Sequence, residues 1–208
     1  MKNKTLKEKA YISIYNLLIN NVVGPNEIFN LSDIERHIDI GRGPIRDALN
    51  ELCNENILKV LPRYGYQVVP IDSKELIEMI NFREIIECES LSRNWNLLMN
   101  NKEIVEVLKY DHIIVKNNID FFEEWDNNVR FHKTILSISN NRHIINYLDD
   151  TMKKMLRFFV QNYSERWEEL NKNVYTNDHE IILQAILDEN KEKAIKHLSY
   201  DIKGFKRE

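Results

Sequence analysis

The sequence predicts a mainly α-helical chain with two domains, of which the smaller, N-terminal one also contains turns and a short hairpin. Two observations support this prediction. All four prolines and four of the five glycines lie between Gly24 and Pro70. From Ile71 to Lys203 the chain contains neither residue, whereas a β-rich domain of that length needs both at its turns. We therefore expect domains at 1–70 and 71–208, the second one all-helical.

Composition limits the class of protein further. The 208 residues are 43% hydrophobic and 30% charged, with a formal net charge of −4, so the chain is neither disordered nor uniformly basic. The first residues, MKNKTLKEKA, lack an apolar region after the lysines and no window approaches 18 apolar residues, so we expect neither secretion nor a membrane-spanning segment. Cys53 and Cys88 lack metal-ligand spacing and are expected to be reduced thiols. These features predict a cytoplasmic protein that has no membrane partner.

Apolar spacing defines the helices of the N-terminal domain. A first helix is expected from Leu6 to Val22, where Gly24-Pro25 follows. A second, short helix follows Asn30, with Ser32 and Glu35 as its expected capping box. A third helix is expected to begin near Pro44, a residue suited to a first helical turn. Its inner face is apolar and consists of Ile45, Ala48, Leu49 and Leu52.

After Asn56 the apolar period changes to two. This predicts strands at Ile57–Leu61 and Tyr66–Val69, joined by a turn at 62–65. Three helices followed by a hairpin are the arrangement of a winged helix-turn-helix domain. The remaining chain predicts about six helices, separated by clusters of Asn, Ser and Asp: Ser73–Met99, Asn101–Asn117, Phe121–Ser139, Arg142–Tyr163, Thr176–Asp188 and Lys191–Phe205.

The third helix carries a candidate DNA-reading surface. Arg42 and Arg46 are four residues apart and so share the face opposite the apolar one. A guanidinium at the start of a recognition helix can hold guanine O6 and N7 in the major groove. Gly41 and Gly43 leave room for a phosphate at the helix N-terminus. The alternative is that the two arginines only solvate an exposed face and pair with Asp39, Asp47 or Asn50.

Residues 10–69 resemble the N-terminal domain of GntR-family bacterial transcription regulators. The resemblance lies in three stretches, namely Gly41-Arg42-Gly43-Pro44-Ile45-Arg46-Asp47-Ala48-Leu49, Glu55-Asn56-Ile57 and Pro62-Arg63-Tyr64-Gly65. It implies DNA binding through the recognition helix and the wing, by Arg42, Gly43, Pro44, Arg46, Arg63, Tyr64 and Gly65. Gly41 and Gly43 replace the family's usual Ser and Thr, Ser32 stands where many members have Arg, and Arg63-Tyr64 replaces a Gly-Arg order.

The remainder resembles the FadR-type effector domain of that family, the FCD domain. The matching stretches are Arg83-Glu84-Ile85-Ile86-Glu87, Phe131-His132 and His179-x-x-Ile182. The resemblance implies a divalent metal site at Asn128, His132, His179 and Asp201, with His197 as the alternative to the last position. Asn128 replaces an Asp and Asp201 replaces a His, so we expect weaker binding of zinc, nickel or copper and a shift toward manganese, magnesium or calcium. The alternatives are a metal-free polar pocket and ordinary scattered histidines.

In the resembled family a small carboxylate often completes the coordination of the metal, and arginines help to hold it. Here this implies effector binding by Arg83 and Arg157. A buried arginine needs an anionic partner, and Glu87, one turn after Arg83, is the structural alternative to an effector.

These features favour a ligand-responsive transcription regulator, a repressor that senses an organic acid. A single reading head gives little specificity, so we expect a homodimer on a pseudo-palindromic double-stranded operator. The alternative is a metal-dependent helical enzyme with an appended nucleic-acid-binding domain, in which His132 and His179 hold a hydrolytic water and Asp201 or Glu87 acts as base. A third hypothesis is a module whose winged domain binds protein or RNA.

Overall fold

The computed structural model describes residues 4–114, 121–163 and 178–204. Its contacts divide the chain into two compact units. The first holds residues 4–72 together with 156–163, and the second holds residues 73–155 and 178–204. The first unit thus ends two residues beyond Pro70, and it also gains the last part of a helix that comes from the second half of the chain.

The first unit combines three helices with a small sheet. The helices are α1 (Leu6–Ile19), α2 (Leu31–Glu35) and α3 (Arg42–Asn54). The strands are β1 (Ile28–Phe29), β2 (Leu58–Leu61) and β3 (Gly65–Val68), all antiparallel in the order β1-β3-β2. The sequence predicted the hairpin and missed β1, because a strand of two residues is too short to show a period.

The capping box of α2 lies two residues earlier in the chain than predicted. Its N-cap is Asn30, whose side chain accepts from the backbone N–H of Ser32 at 2.8 Å and of Asp33 at 3.2 Å. Asp33 completes the box by accepting from the backbone N–H of Asn30 at 2.8 Å. The prediction of Ser32 and Glu35 as the box is therefore wrong, because the helix begins at Leu31. Glu35 is left as the last residue of α2 with its carboxylate available for another partner.

Packing of α1 against α3 forms the core of the first unit. The inner face of α3 is fully buried, as the apolar pattern predicted, and meets Ala10, Ile14 and Leu18 from α1. Arg42 and Arg46 lie on the opposite, exposed side of α3. One apolar stripe of α3 thus determines which of its faces is buried and which is exposed.

The wing turns through two residues with positive φ. The backbone N–H of Tyr64 donates to the carbonyl of Leu61 at 3.0 Å, and Arg63 has φ 73°, where a glycine is more usual. Gly65 has φ 118°, and a Cβ there would lie 2.3 Å from the carbonyl oxygen of Phe29 in β1. The pairing of β1 with β3 therefore requires glycine at position 65.

We predict that Gly65→Ala lowers the free energy of unfolding by about 2–3 kcal/mol, through the strained φ and the clash with Phe29. Urea titration followed by circular dichroism measures this. The control is Gly43→Ala, whose Cβ would meet nothing within 4 Å. It should be neutral or stabilise the helix by about 0.5–1 kcal/mol. Equal effects of the two substitutions would show that the close approach of β1 and β3 is wrong.

The described part of the second unit is helical throughout. Its helices are α4 (Ser73–Arg93), α5 (Trp95–Met99), α6 (Lys102–Ile114), α7 (Phe121–Ser137), α8 (Arg142–Tyr163), α9 (Asp178–Leu187) and α10 (Lys191–Lys203). Residues 156–163 of α8 belong to the first unit by their contacts. Helix α8 begins at Arg142, as predicted, and is helical up to Tyr163, the last described residue of this range. The predicted ends at Asn117, Thr176 and Phe205 lie outside the described residues.

The expected single helix from Ser73 to Met99 is interrupted at Asn94. The Asn94 side chain donates to the carbonyl of Ser90 at 2.8 Å, and its backbone leaves helical geometry, with ψ at 13°. An asparagine that bonds to nearby backbone in this way competes with the helix, which explains the break.

Two further predictions concern the cysteines and membranes. Cys53 and Cys88 are free thiols, and burial raises the pKa of Cys88 to about 12. No helix in the described ranges is both long enough and apolar enough to cross a membrane.

Candidate metal centre and nucleic-acid interface

Three side chains from three helices of the second unit converge in its core. His132 lies on α7, His179 on α9 and Asp201 on α10, and one ligand atom from each lies within 4.8 Å of the other two. Nε2 of His132 is 2.9 Å from Oδ2 of Asp201, and Nε2 of His179 is 3.4 Å from Oδ1. We call these three residues the His–His–Asp cluster. The structure thus brings together three of the four residues singled out in the sequence.

The two imidazoles present nitrogens that the protein leaves unsatisfied. Nε2 of His132 and Nε2 of His179 are buried, and neither has a hydrogen-bond partner among the described residues. Their approaches to Asp201 are therefore short contacts without hydrogen-bond geometry. Buried polar atoms are rarely left in this state. Two nitrogens and a carboxylate that face each other without bonding directly fit a shared divalent cation.

Glu87 on α4 contacts the ring nitrogen of His132 that faces away from the cluster. Its Oε2 lies 2.6 Å from Nδ1 of His132, and its Oε1 accepts from Nε of Arg83 at 2.6 Å. All three side chains are buried. If Nδ1 carries the proton shared with Glu87, the Nε2 lone pair of His132 is directed away from Glu87 and toward the cluster, as in carboxylate–histidine–metal arrangements.

The ionisation of the cluster follows from this pairing. Burial acts to raise the pKa of Glu87, but the charges of Arg83 and His132 outweigh it and hold that pKa below its usual range. Burial likewise acts to lower the pKa of His132, but the negative charge of Glu87 outweighs it, so that this pKa lies above its ordinary value. The pKa of Asp201 is well below its ordinary value, because the two histidines outweigh the effect of its burial. Both carboxylates are therefore ionised at neutral pH.

A second His–Asp pair fixes the start of α9 on α10. Nδ1 of His197 lies 2.7 Å from Oδ1 of Asp178, one residue before His179. Phe131 stacks on the His179 ring with centroids 3.9 Å apart and an angle of 17° between the planes. His179 is thus held on two sides. His197, the alternative to Asp201 in the sequence analysis, pairs with Asp178 instead.

The other residues predicted to bind the metal or the effector do not belong to the His–His–Asp cluster. Asn128 is half-buried, one turn before His132 on α7, and no hydrogen bond of its amide joins the cluster among the described residues. Arg83 is buried and reaches the cluster through Glu87, and Nη1 donates to the sulfur of Met155 at 3.8 Å. Arg157 is buried too, but its Nη2 donates to the carbonyl of Val69 at 2.6 Å, so its observed partner is a backbone group of the first unit.

We predict that Arg83→Met lowers the free energy of unfolding by about 3–5 kcal/mol, because it leaves the Glu87 charge buried without its cation. The matched control is Arg93→Met on the same helix. Arg93 bonds Glu89 with the same four-residue spacing and the same 2.6 Å distance as the Arg83–Glu87 pair, but in solvent. Loss of that exposed pair is expected to cost about 0–1 kcal/mol. Thermal and urea unfolding compare the two variants, and equal losses would contradict the buried arrangement.

The DNA-reading candidates lie on one helix and one turn of the first unit. Arg42, Gly43 and Arg46 are exposed on the first turns of α3, with Pro44 half-buried beside them. Open space surrounds the Cα of Gly41 and of Gly43. Arg63 and Tyr64 are exposed at the tip of the wing, and Tyr64 has 73% of its surface in solvent. The side chains that the sequence predicts to contact DNA are thus mostly exposed on both elements.

Two acidic residues, Glu35 and Asp178, form side-chain contacts that the sequence did not predict. Glu35 forms a paired contact with Arg42, with Nε–Oε1 at 2.7 Å and Nη2–Oε2 at 3.0 Å. The turn between α2 and α3 brings them together, and no helical spacing links them. Asp178 was missed as the partner of His197, because the two residues lie on different helices. Glu87 was found as a partner of Arg83 from its four-residue spacing, but its bond to His132 had no local signal.

Comparison with known proteins agrees with this arrangement. Residues 78–203 match the FCD domain family. The HTH-type transcriptional regulator YdhC of Bacillus subtilis (strain 168), itself uncharacterised, is 24% identical over 90% of this chain and 85% of its own length. The gluconate operon transcriptional repressor of Bacillus licheniformis is 26% identical over 87% of this chain and 75% of its own length. The solved structure of McbR/YncC from E. coli shares the fold, with a TM-score of 0.68, 17% identity, and coverage of 97% and 95%.

A winged helix-turn-helix unit followed by a helical unit with a polar centre defines a DNA-binding transcription regulator with an effector domain. The chain belongs to the FCD-domain family of GntR-type regulators, because the match covers more than half of its residues.

Proposed function

We propose that this regulator is a cytoplasmic, homodimeric repressor whose helical unit binds a divalent cation and a small carboxylate, and that this binding alters its affinity for a pseudo-palindromic operator. It has no catalytic activity in this proposal. The observation that carries it is the His–His–Asp cluster with its two unsatisfied nitrogens. A ligand changes DNA affinity only if it binds one arrangement of the two reading heads better than another.

The cation would be held by His132, His179 and Asp201. Two imidazoles favour a first-row transition ion, and the oxygen ligand in place of a third imidazole makes manganese a better match than in an all-nitrogen site. When bound, the cation supplies a positive charge that can take a carboxylate oxygen as a further ligand. Asn128, half-buried one turn from His132, is the candidate for an additional oxygen ligand.

Charge favours a carboxylate as effector. The charges of Arg83, Glu87 and Asp201 add up to one net negative charge. A divalent cation changes this to one net positive charge, and a monocarboxylate neutralises it. Nη2 of Arg83 is buried without a hydrogen-bond partner in the described ranges and can donate to such an anion. A relative is named as the repressor of a gluconate operon, and gluconate is a carboxylate.

We predict that the full chain, stripped with a chelator and dialysed, binds one Mn²⁺ per protomer in a calorimetric titration. Removing a ligand by His132→Gln should weaken binding by more than the about 10–100-fold that loss of an outer partner costs. Saturation at one hundred times Kd should stabilise the wild type by about 2.7 kcal/mol. Zn²⁺, titrated in parallel, reports the metal preference.

The control for this titration is His143→Gln, since His143 is an exposed histidine at the start of α8. It should bind Mn²⁺ like the wild type. No binding of either ion by the wild type, or equal loss in both variants, would contradict the proposed metal centre.

We predict that Arg46→Ala lowers the affinity for a duplex selected by the wild type from a random library by about tenfold or more, as loss of a base contact does. Fluorescence anisotropy over a range of KCl concentrations measures it. Arg93→Ala, which removes an exposed arginine of the second unit, is the control and should leave the affinity unchanged. If the two variants bind alike, α3 does not read the duplex.

A further inference from the structure

The contact between Glu35 and Arg42 joins the end of one helix to the start of the next. Arg42 is the first residue of α3 and Glu35 the last of α2. The carboxylate accepts from Nε at 2.7 Å and from Nη2 at 3.0 Å, a two-bond contact along one side of the guanidinium. The side chain of Arg42 is nevertheless 68% exposed, and that of Glu35 is 25% exposed. Arg42 is therefore both held in place and open to a ligand.

This contact leaves one edge of the guanidinium free. Of the five N–H donors of an arginine, Glu35 takes one at Nε and one at Nη2. The two donors of Nη1 and the second donor of Nη2 remain, and one N–H from each of these nitrogens lies along the terminal edge. Guanine O6 and N7 accept two parallel donors of this kind in the major groove. The free edge thus matches a guanine and is fixed before the duplex arrives.

Glu35 also cancels the charge of Arg42. The other exposed arginines of the reading surface, Arg46 and Arg63, form no ion pair in the described part of the chain. Unpaired guanidinium groups bind phosphates of any sequence, and each phosphate contact contributes to the salt dependence. A paired Arg42 contributes less to this non-specific attraction than an unpaired one.

The position of Glu35 is not explained by the stability of α2. Asn30 and Asp33 form the capping box, so Glu35 has no capping function. A carboxylate in the last turn of a helix is unfavourable with respect to the helix dipole, since that end carries partial negative charge. The only partner within ion-pair distance of Glu35 among the described residues is Arg42.

We propose that Glu35 is a specificity-determining residue of the DNA-binding unit, which orients Arg42 so that its free edge reads a guanine and lowers its attraction for phosphates of any sequence. This rests on the proposed recognition of the operator by α3. Glu35 itself is a positioning residue, because it acts through Arg42.

The test is Glu35→Gln in the full chain, which retains the size of the side chain and removes its charge. The probes are the duplex that the wild type enriches from a random 30-bp library, about three helical turns long, and a shuffled duplex of the same composition. Anisotropy gives Kd for both at several KCl concentrations. We expect the shuffled duplex to bind about 3- to 10-fold tighter, with a slope of log K against log salt steeper by about one ion. The ratio of the two affinities should fall at least about fivefold, an amount typical of one base contact.

The matched control is Glu51→Gln. Glu51 lies on α3 in the same unit and pairs with Lys7 at 2.9 Å, so this variant makes the same change in net charge without touching Arg42. It should leave the affinity ratio unchanged. A fall in the ratio as large as that of Glu35→Gln would reduce the effect to net charge and overturn the proposal.

A double-mutant cycle separates this inference from the proposed function. In an Arg42→Ala background, Glu35→Gln should have no further effect on the ratio. Suppose that Glu35→Gln alone leaves the affinity ratio and the salt slope at their wild-type values, while Arg42→Ala lowers the affinity. The inference about Glu35 is then overturned, and DNA recognition by α3 stands. If the wild type enriches no duplex at low salt, the proposed recognition fails, and the inference fails with it. Glu35→Ala, checked for folding by circular dichroism, should repeat the result of Glu35→Gln.

Discussion

One buried carboxylate, that of Glu87, organises the centre of the helical unit. It faces Arg83 on its own helix and His132 on α7, each at 2.6 Å. A buried charge without partners costs several kcal/mol, so the two contacts are a condition for burying Glu87 at all. They also fix the ring of His132, and this decides where its second nitrogen is directed. Glu87, which is not part of the His–His–Asp cluster, thus determines the orientation of His132 within it.

Two His–Asp pairs join α9 to α10, and the order of histidine and aspartate along the chain is opposite on the two helices. On α9 an aspartate precedes a histidine, and on α10 a histidine precedes an aspartate by one helical turn, so Asp178 meets His197 and His179 meets Asp201. Adjacent residues at a helix start can contact positions one turn apart on a packed partner helix, which accounts for the pattern. Asp201 lies between both histidines of the cluster as a result. A bound cation or effector would therefore act on α7, α9 and α10 together.

The sequence predicts those features that depend on local order. The apolar stripe of α3 predicts its buried face, and the period of α8 predicts its start at Arg142, since helical spacing is visible within one segment. Features set by single contacts are missed: the capping box begins at Asn30, and the break at Asn94 depends on one side-chain bond to Ser90. All four predicted metal-ligand positions came from resemblance to a family, and three of them form the cluster. Their neighbours Glu87 and Asp178 bond across helices, where no spacing rule applies. The contact of Glu35 with Arg42 depends on the turn between α2 and α3.

Diffraction from crystals of the full chain soaked in Mn²⁺, recorded near the manganese absorption edge, tests the central claim most directly. We expect one anomalous peak per protomer in the helical unit, within coordination distance of Nε2 of His132, Nε2 of His179 and a carboxylate oxygen of Asp201. Glu87 should still contact Nδ1 of His132. A peak at surface carboxylates alone, or a cluster that closes into direct hydrogen bonds without the ion, would contradict it.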